Sequence, residues 1–123
     1  MSECVLPEFY EEDHVAARKP HRCCETGRLI EAGQRYWRCR GKWDGEFAVH
    51  KQCESAYHFA RALNEYHRDV GDARAGECVV GFGQVADDVG ELRSEEPGIA
   101  ELWDAIREGR AEFGPDDSLP RAW

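Results

Sequence analysis

A chain of 123 residues and 14.0 kDa with a formal charge of −9 is long enough for one domain with a modest core, and its overall acidity argues against DNA as the main partner. It has no apolar run near 18 residues and no basic-then-apolar N-terminus, so neither a membrane span nor a secretory signal is expected, and a cytoplasmic setting is. The six cysteines, at positions 4, 23, 24, 39, 53 and 78, are then expected as reduced thiols serving as ligands or small core residues.

In chain order, residues 1–19 read as an N-terminal arm, mixing acids with a short apolar patch (Cys4-Val5-Leu6, Phe9-Tyr10), and Pro20 holds Lys19 extended. Arg35 to Trp43 and Glu46 to His50 predict a β-hairpin, with Asp44-Gly45 as a type I′ turn. Two strands alone are marginal in water, so the next element has to cover them. Residues 54–70 place Ala56, Phe59, Ala60, Leu63, His67 and Val70 along one helical stripe. The run Cys78 to Phe82 reads as a third strand or, in preference, a packed loop or short helix start, and a further helix is expected over Gln84 to Leu92. Glu95-Glu96-Pro97 gives helix-start chemistry. Ile99, Leu102, Trp103, Ile106 and Phe113 follow at helical spacing, with Gly114-Pro115 as the stop. The expected architecture is one α+β domain: an arm (1–19), a degenerate zinc-ribbon hairpin with its helix (20–76), an acidic helical extension (77–114), and a mobile tail (115–123) with Trp123 free to dock.

The stretch from residue 20 to 58 carries the strongest pattern. Cys23 and Cys53 each open a knuckle, with Gly27 suited to the positive φ of a metal-wrapping turn. Tetrahedral zinc sites made from two knuckles take two ligands at C-x-x-C spacing from each, and here the second positions hold Thr26 and Ala56. Cys23, Cys24, His50 and Cys53 remain as candidate zinc ligands, with Cys39 as a substitute. Against them stands a metal-free ribbon whose interior is filled by thiols, Thr26 and Ala56. The motif Cys23, Cys24, Gly27, Arg28, Gly33, Tyr36, Gly41, Trp43-Asp44-Gly45 and Cys53 resembles a family of small phage and prophage proteins of poorly defined function built on a zinc-ribbon-like knuckle pair. That resemblance implies a ribbon fold and a phage accessory role, and the departures at Thr26 and Ala56 fall on the metal ligands themselves.

Charge is spread unevenly. Residues 18–51 hold nine Arg or Lys against four acids, whereas residues 84–118 hold eleven acids against three Arg. Cysteine–histidine neighbours such as Cys53 with His50, or Cys24 with His21, are weak signs of a nucleophile. No phosphate-binding glycine loop is present, so no enzyme is expected. The first expectation is a protein-binding phage accessory that inhibits a host nucleic-acid-handling or defence complex, of anti-CRISPR or anti-restriction type, through an acidic nucleic-acid-mimicking surface. Its partner-binding residues would be Asp87, Asp88, Glu91, Glu95, Glu96, Glu101, Asp104, Glu108 and Glu112, with the last four forming a carboxylate row on one helix. The alternative is a nucleic-acid-binding or transcription-associated module using Arg35, Arg38, Arg40 and Lys42. A homodimer is also among the partners considered.

Overall fold

The computed structural model describes residues 9–71 and 80–121; the notable residues Cys4, Cys78 and Trp123 lie outside them. The fold is α+β. Strands β1 (Phe9–Ala16), β4 (Arg35–Trp43) and β5 (Glu46–Cys53) form an antiparallel sheet in the order β1-β4-β5, and β2 (His21–Arg22) pairs with β3 (Leu29–Ile30) in a second, two-stranded sheet. Helices α1 (Glu54–Asp69), α2 (Val85–Leu92) and α3 (Pro97–Arg107) follow.

The expected hairpin is present. Asp44 and Gly45 have φ of 50° and 80°, the two positive values of a type I′ turn, and the turn sets Trp43 opposite Glu46. Position 41 requires glycine, because an added Cβ would lie 2.5 Å from the Trp43 ring and 2.7 Å from the Phe9 carbonyl oxygen. The arm is more than an extended lead-in. Its residues 9–16 alternate through Phe-Tyr-Glu-Glu-Asp-His-Val-Ala and pair with β4 along their whole length, Phe9 opposite Lys42 and Ala16 opposite Arg35.

The register divides the sheet into two faces. On one, Trp37, Cys39, Gly41 and Trp43 stand beside Tyr10, Glu12, His14, His50 and Gln52. This face is covered: Tyr57 stacks on Trp37 at 4.0 Å and Phe82 on His50 at 4.3 Å between ring centroids. On the other, Tyr36, Arg38, Arg40 and Lys42 stand beside Phe9, Glu11, Asp13 and Val15 and beside Phe47, Val49 and Lys51. The knuckle covers the Tyr36 end, where Ala17, Cys23, Ile30, Tyr36, Cys53 and Ala56 form a small core.

Helix α1 reaches the sheet through its first two turns, where Tyr57 and His58 meet Trp37 and Arg61 lies 3.7 Å from Glu12, and the rest of its length is spent elsewhere. Phe59, Leu63 and Tyr66 join Val85, Val89, Leu92, Ile99, Trp103, Ile106 and Phe113 in the main core. The expected stripe is kept at Ala56, Phe59, Leu63 and His67, while Val70 is exposed. Residues 80–84 form a turn with Val80 buried, and α2 starts one residue after the expected Gln84. Helix α3 ends at Arg107 and not at Gly114-Pro115, because Gly109, at φ 79°, reverses the chain. The tail is packed as far as Arg121: Leu119 lies against the main core, the Pro120 carbonyl closes on Gly98, and Arg121 pairs with Asp69 at 2.8 Å and covers the Tyr66 ring.

Phe59 is fully buried, with the Trp103 and Phe113 rings 4.9 and 5.6 Å from its own. Phe59→Ala is expected to cost about 3–5 kcal/mol, read as a lower urea midpoint at unchanged slope.

Candidate functional site

The knuckle turn from Cys23 to Arg28 is the chemical centre of the ribbon. Thr26 N–H and Cys53 N–H both donate to Cys23 Sγ at 3.4 Å, and the backbone N–H groups of Gly27 and Cys23 bond to the carbonyls of Cys23 and Arg28. Both sulfurs are buried, and the Cys53 thiol donates to Cys23. This bond holds the Cys23 thiol below its ordinary value and raises that of Cys53. The two knuckle openings therefore come together as the spacing requires.

The rest of the expected zinc set does not join them. Cys24 is exposed on the turn, its sulfur 3.7 Å from Glu25 Oε2. Cys39 lies on the covered sheet face, 4.0 Å from Gln52 Oε1, and burial pushes its thiol up to about 11. His50 is stacked on Phe82 and against Trp43, and burial lowers its pKa. Thr26 uses its hydroxyl to accept the Arg28 N–H at 3.1 Å. Among the described residues no three His, Cys, Asp or Glu side chains are grouped to hold one ion. Two thiols do not fit the closed four-ligand geometry of structural zinc.

The same turn carries two charged side chains that sequence reading passes over. Glu25 accepts the N–H groups of Gly83 (2.7 Å) and Val85 (3.2 Å) at the start of α2, and Gln52 Nε2 at 3.1 Å. Arg28 donates to the Ile106 carbonyl at 3.2 Å, at the end of α3. Each charge meets the helix end of opposite polarity. Neither has a local signal, because their partners lie 60 and 78 residues away.

The two charged surfaces are reorganised. On the basic hairpin Arg38 pairs with Asp13 (3.3 Å), and Arg40 pairs with Asp13 (3.1 Å) and Glu11 (2.5 Å). Arg35 is exposed and donates to the His14 carbonyl, and Lys42 lies over the Phe47 ring. On the acidic side two expected surface residues are interior. Asp88 accepts from buried His67 at 2.9 Å, and Glu96 accepts the Tyr66 hydroxyl at 3.2 Å. The row along the last helix is also broken. Asp104 makes a two-pronged pair with Arg93, Glu108 pairs with Arg110, and Glu112, beyond the helix end, accepts the Ser55 hydroxyl. Asp87, Glu91, Glu95 and Glu101 remain exposed.

No family model, curated protein or solved structure matches the chain. No helix among the described residues is long and apolar enough to cross a membrane.

Two outcomes test the knuckle. Thr26→Cys with Ala56→Cys is expected to complete a four-thiolate set, so that cobalt(II) gives the intense visible bands of tetrahedral thiolate coordination in the double variant and not in the wild type. Glu25→Ala is expected to cost about 1–3 kcal/mol by leaving two N–H groups at the α2 start without their acceptor. Burial is the largest influence on Glu25 and raises its pKa. The folded state therefore binds that proton more tightly than the unfolded chain, so the proton-linked part of the stability is full below the ordinary carboxylate value and is lost as pH rises through the raised one, while the accepted N–H bonds remain. Urea melts should show the wild type losing ground against Glu25→Gln across that window.

Proposed function

We propose that the protein acts by binding and not by catalysis, as a phage or prophage accessory that occupies a basic surface of a host nucleic-acid-handling or defence complex, of anti-CRISPR or anti-restriction type. The observation that carries this reading is the pairing of Glu11 and Asp13 on β1 with Arg38 and Arg40 on β4. The hairpin's cations are thereby partly neutralised within the sheet, which takes away much of the phosphate-binding charge that the alternative reading needs. On the helical extension Asp88, Asp104 and Glu108 are paired, and other acids are left open. Asp87, Glu95 and Glu101 face solvent on α2, the following turn and α3, with no ion pair to another of the described residues. Such charge draws a basic partner in and fixes its approach more than it adds to affinity.

The test is a pull-down from nuclease-treated bacterial lysate with the wild type and with Asp87→Lys/Glu95→Lys/Glu101→Lys. The expected result is one basic nucleic-acid-binding partner, displaced by added DNA or by rising salt, and lost on charge reversal. Retention of that partner by the reversed variant would overturn the acidic surface. Recovery of nucleic acid from untreated lysate, abolished by Arg35→Ala with Lys42→Ala, would replace it with the hairpin.

A further inference from the structure

Strand β5 is an edge of the three-stranded sheet, and the backbone groups that it turns outward follow from one bond. Lys51 directs its carbonyl away from β4, to the Cys24 N–H at 2.8 Å. Strand alternation then points the N–H and C=O of Val49 and Phe47 outward as well, and those of Ala48 and His50 inward to β4. Among the described residues none bonds to the outward groups of Phe47 and Val49. The open segment is bounded at one end by the Asp44-Gly45 turn and at the other by the Cys24 contact. Phe47 and Val49 are also 76% and 53% exposed. Natural edges of this kind are ordinarily protected by a charge, a proline or a bulge, and here Glu46 supplies the only charge between the turn and Lys51.

We propose that this edge is the interface for a second copy of the chain, pairing β5 with β5 antiparallel about a two-fold axis at Ala48, so that two sheets become one of six strands. The segment is self-complementary in that register. Phe47 faces Val49 of the second copy twice over, as pairs that exchange both N–H···O bonds, which gives four intermolecular bonds. Ala48 faces itself, and Glu46 faces His50, so no like charges meet. The opposite edge cannot self-pair in this way, because β1 carries Glu11-Glu12-Asp13 at its centre and would set carboxylate against carboxylate. With one short strand and two apolar side chains per copy the interface is small, so the dimer forms reversibly with concentration.

Sedimentation equilibrium over a range of concentrations tests this directly. The expected result is a weight-average mass that rises from 14.0 kDa toward twice that value, with Val49→Lys weakening dimerisation at least about tenfold. Circular dichroism should show Val49→Lys to be folded, since that side chain is largely exposed and its N–H points away from β4. Register is read by Ala48→Cys. Self-opposed residues in a non-bonded antiparallel pair lie about 4.5 Å apart at Cα, within disulfide reach, so mild oxidation should give a cross-link between the two substituted positions, mapped by mass spectrometry. A monomer mass at every concentration, a dimer indifferent to Val49→Lys, or a dimer without that cross-link would each overturn the proposal.

Discussion

The turn between Cys23 and Arg28 is where the two halves of the molecule are tied. A three-stranded sheet and a three-helix core would otherwise meet mainly through the first two turns of α1 and the Phe82 contact. Glu25 and Arg28 change that by each taking a helix end of the polarity that suits its charge. Glu25 satisfies two N–H groups that a helix start leaves without partners, and Arg28 satisfies a carbonyl at a helix finish. Ser55 adds a third tie by accepting the Phe113 N–H and donating to Glu112. The ribbon thus serves as the capping device for the helices, a job that serine or aspartate at an N-cap would normally do locally. Helices α1, α2 and α3 indeed have no side-chain N-cap bond of their own.

Around that turn backbone groups and thiols are gathered closely. Two backbone N–H groups converge on the Cys23 sulfur, and the Cys23 and Cys53 thiols meet. Thr26 and Ala56, three residues after each of these cysteines, hold the turn in different ways. Thr26 does so through a hydroxyl bond to the next-but-one N–H, and Ala56 through close packing in a core with Ile30 and Tyr36. Free thiols suit that interior because they pack as small apolar groups.

Local chemistry made most of the elements legible. Asp44-Gly45 between alternating runs led to the hairpin, and the spacing of Phe59, Leu63 and His67 to α1, because turn type and helical period are written in neighbouring residues. The third strand was harder to see. Three successive acids hide the alternation of Phe9 to Ala16, and their fit with Arg38 and Arg40 appears only when β1 lies against β4. The acidic surface was overcounted for a related reason. Asp88 looks like any solvated carboxylate until His67, 21 residues earlier, is set beside it in the interior. In the same way Glu112 falls at helical spacing from Glu108, but Gly109 has already turned the chain. The zinc expectation rested on spacing as well, and spacing brought the two knuckle openings together while leaving Cys24, Cys39 and His50 facing elsewhere.

The long reach of Glu25 and Arg28 has a consequence for the order in which the molecule is made. Synthesis runs from the N-terminus, and the sheet closes from hairpin contacts that are near in sequence, so the ribbon can be complete while the helices are still to come. During that interval a buried-to-be carboxylate and guanidinium wait without their helix ends. They are matched only when residues 85 and 106 arrive, after loops whose closure entropy grows slowly with length. A chain cut short after α1 would keep its hairpin and its thiols but leave Arg28 without its helix carbonyl and Glu25 with only Gln52 and Cys24 for partners. The N-terminal half thus reports, through two hydrogen-bonding groups, whether the C-terminal half has been delivered.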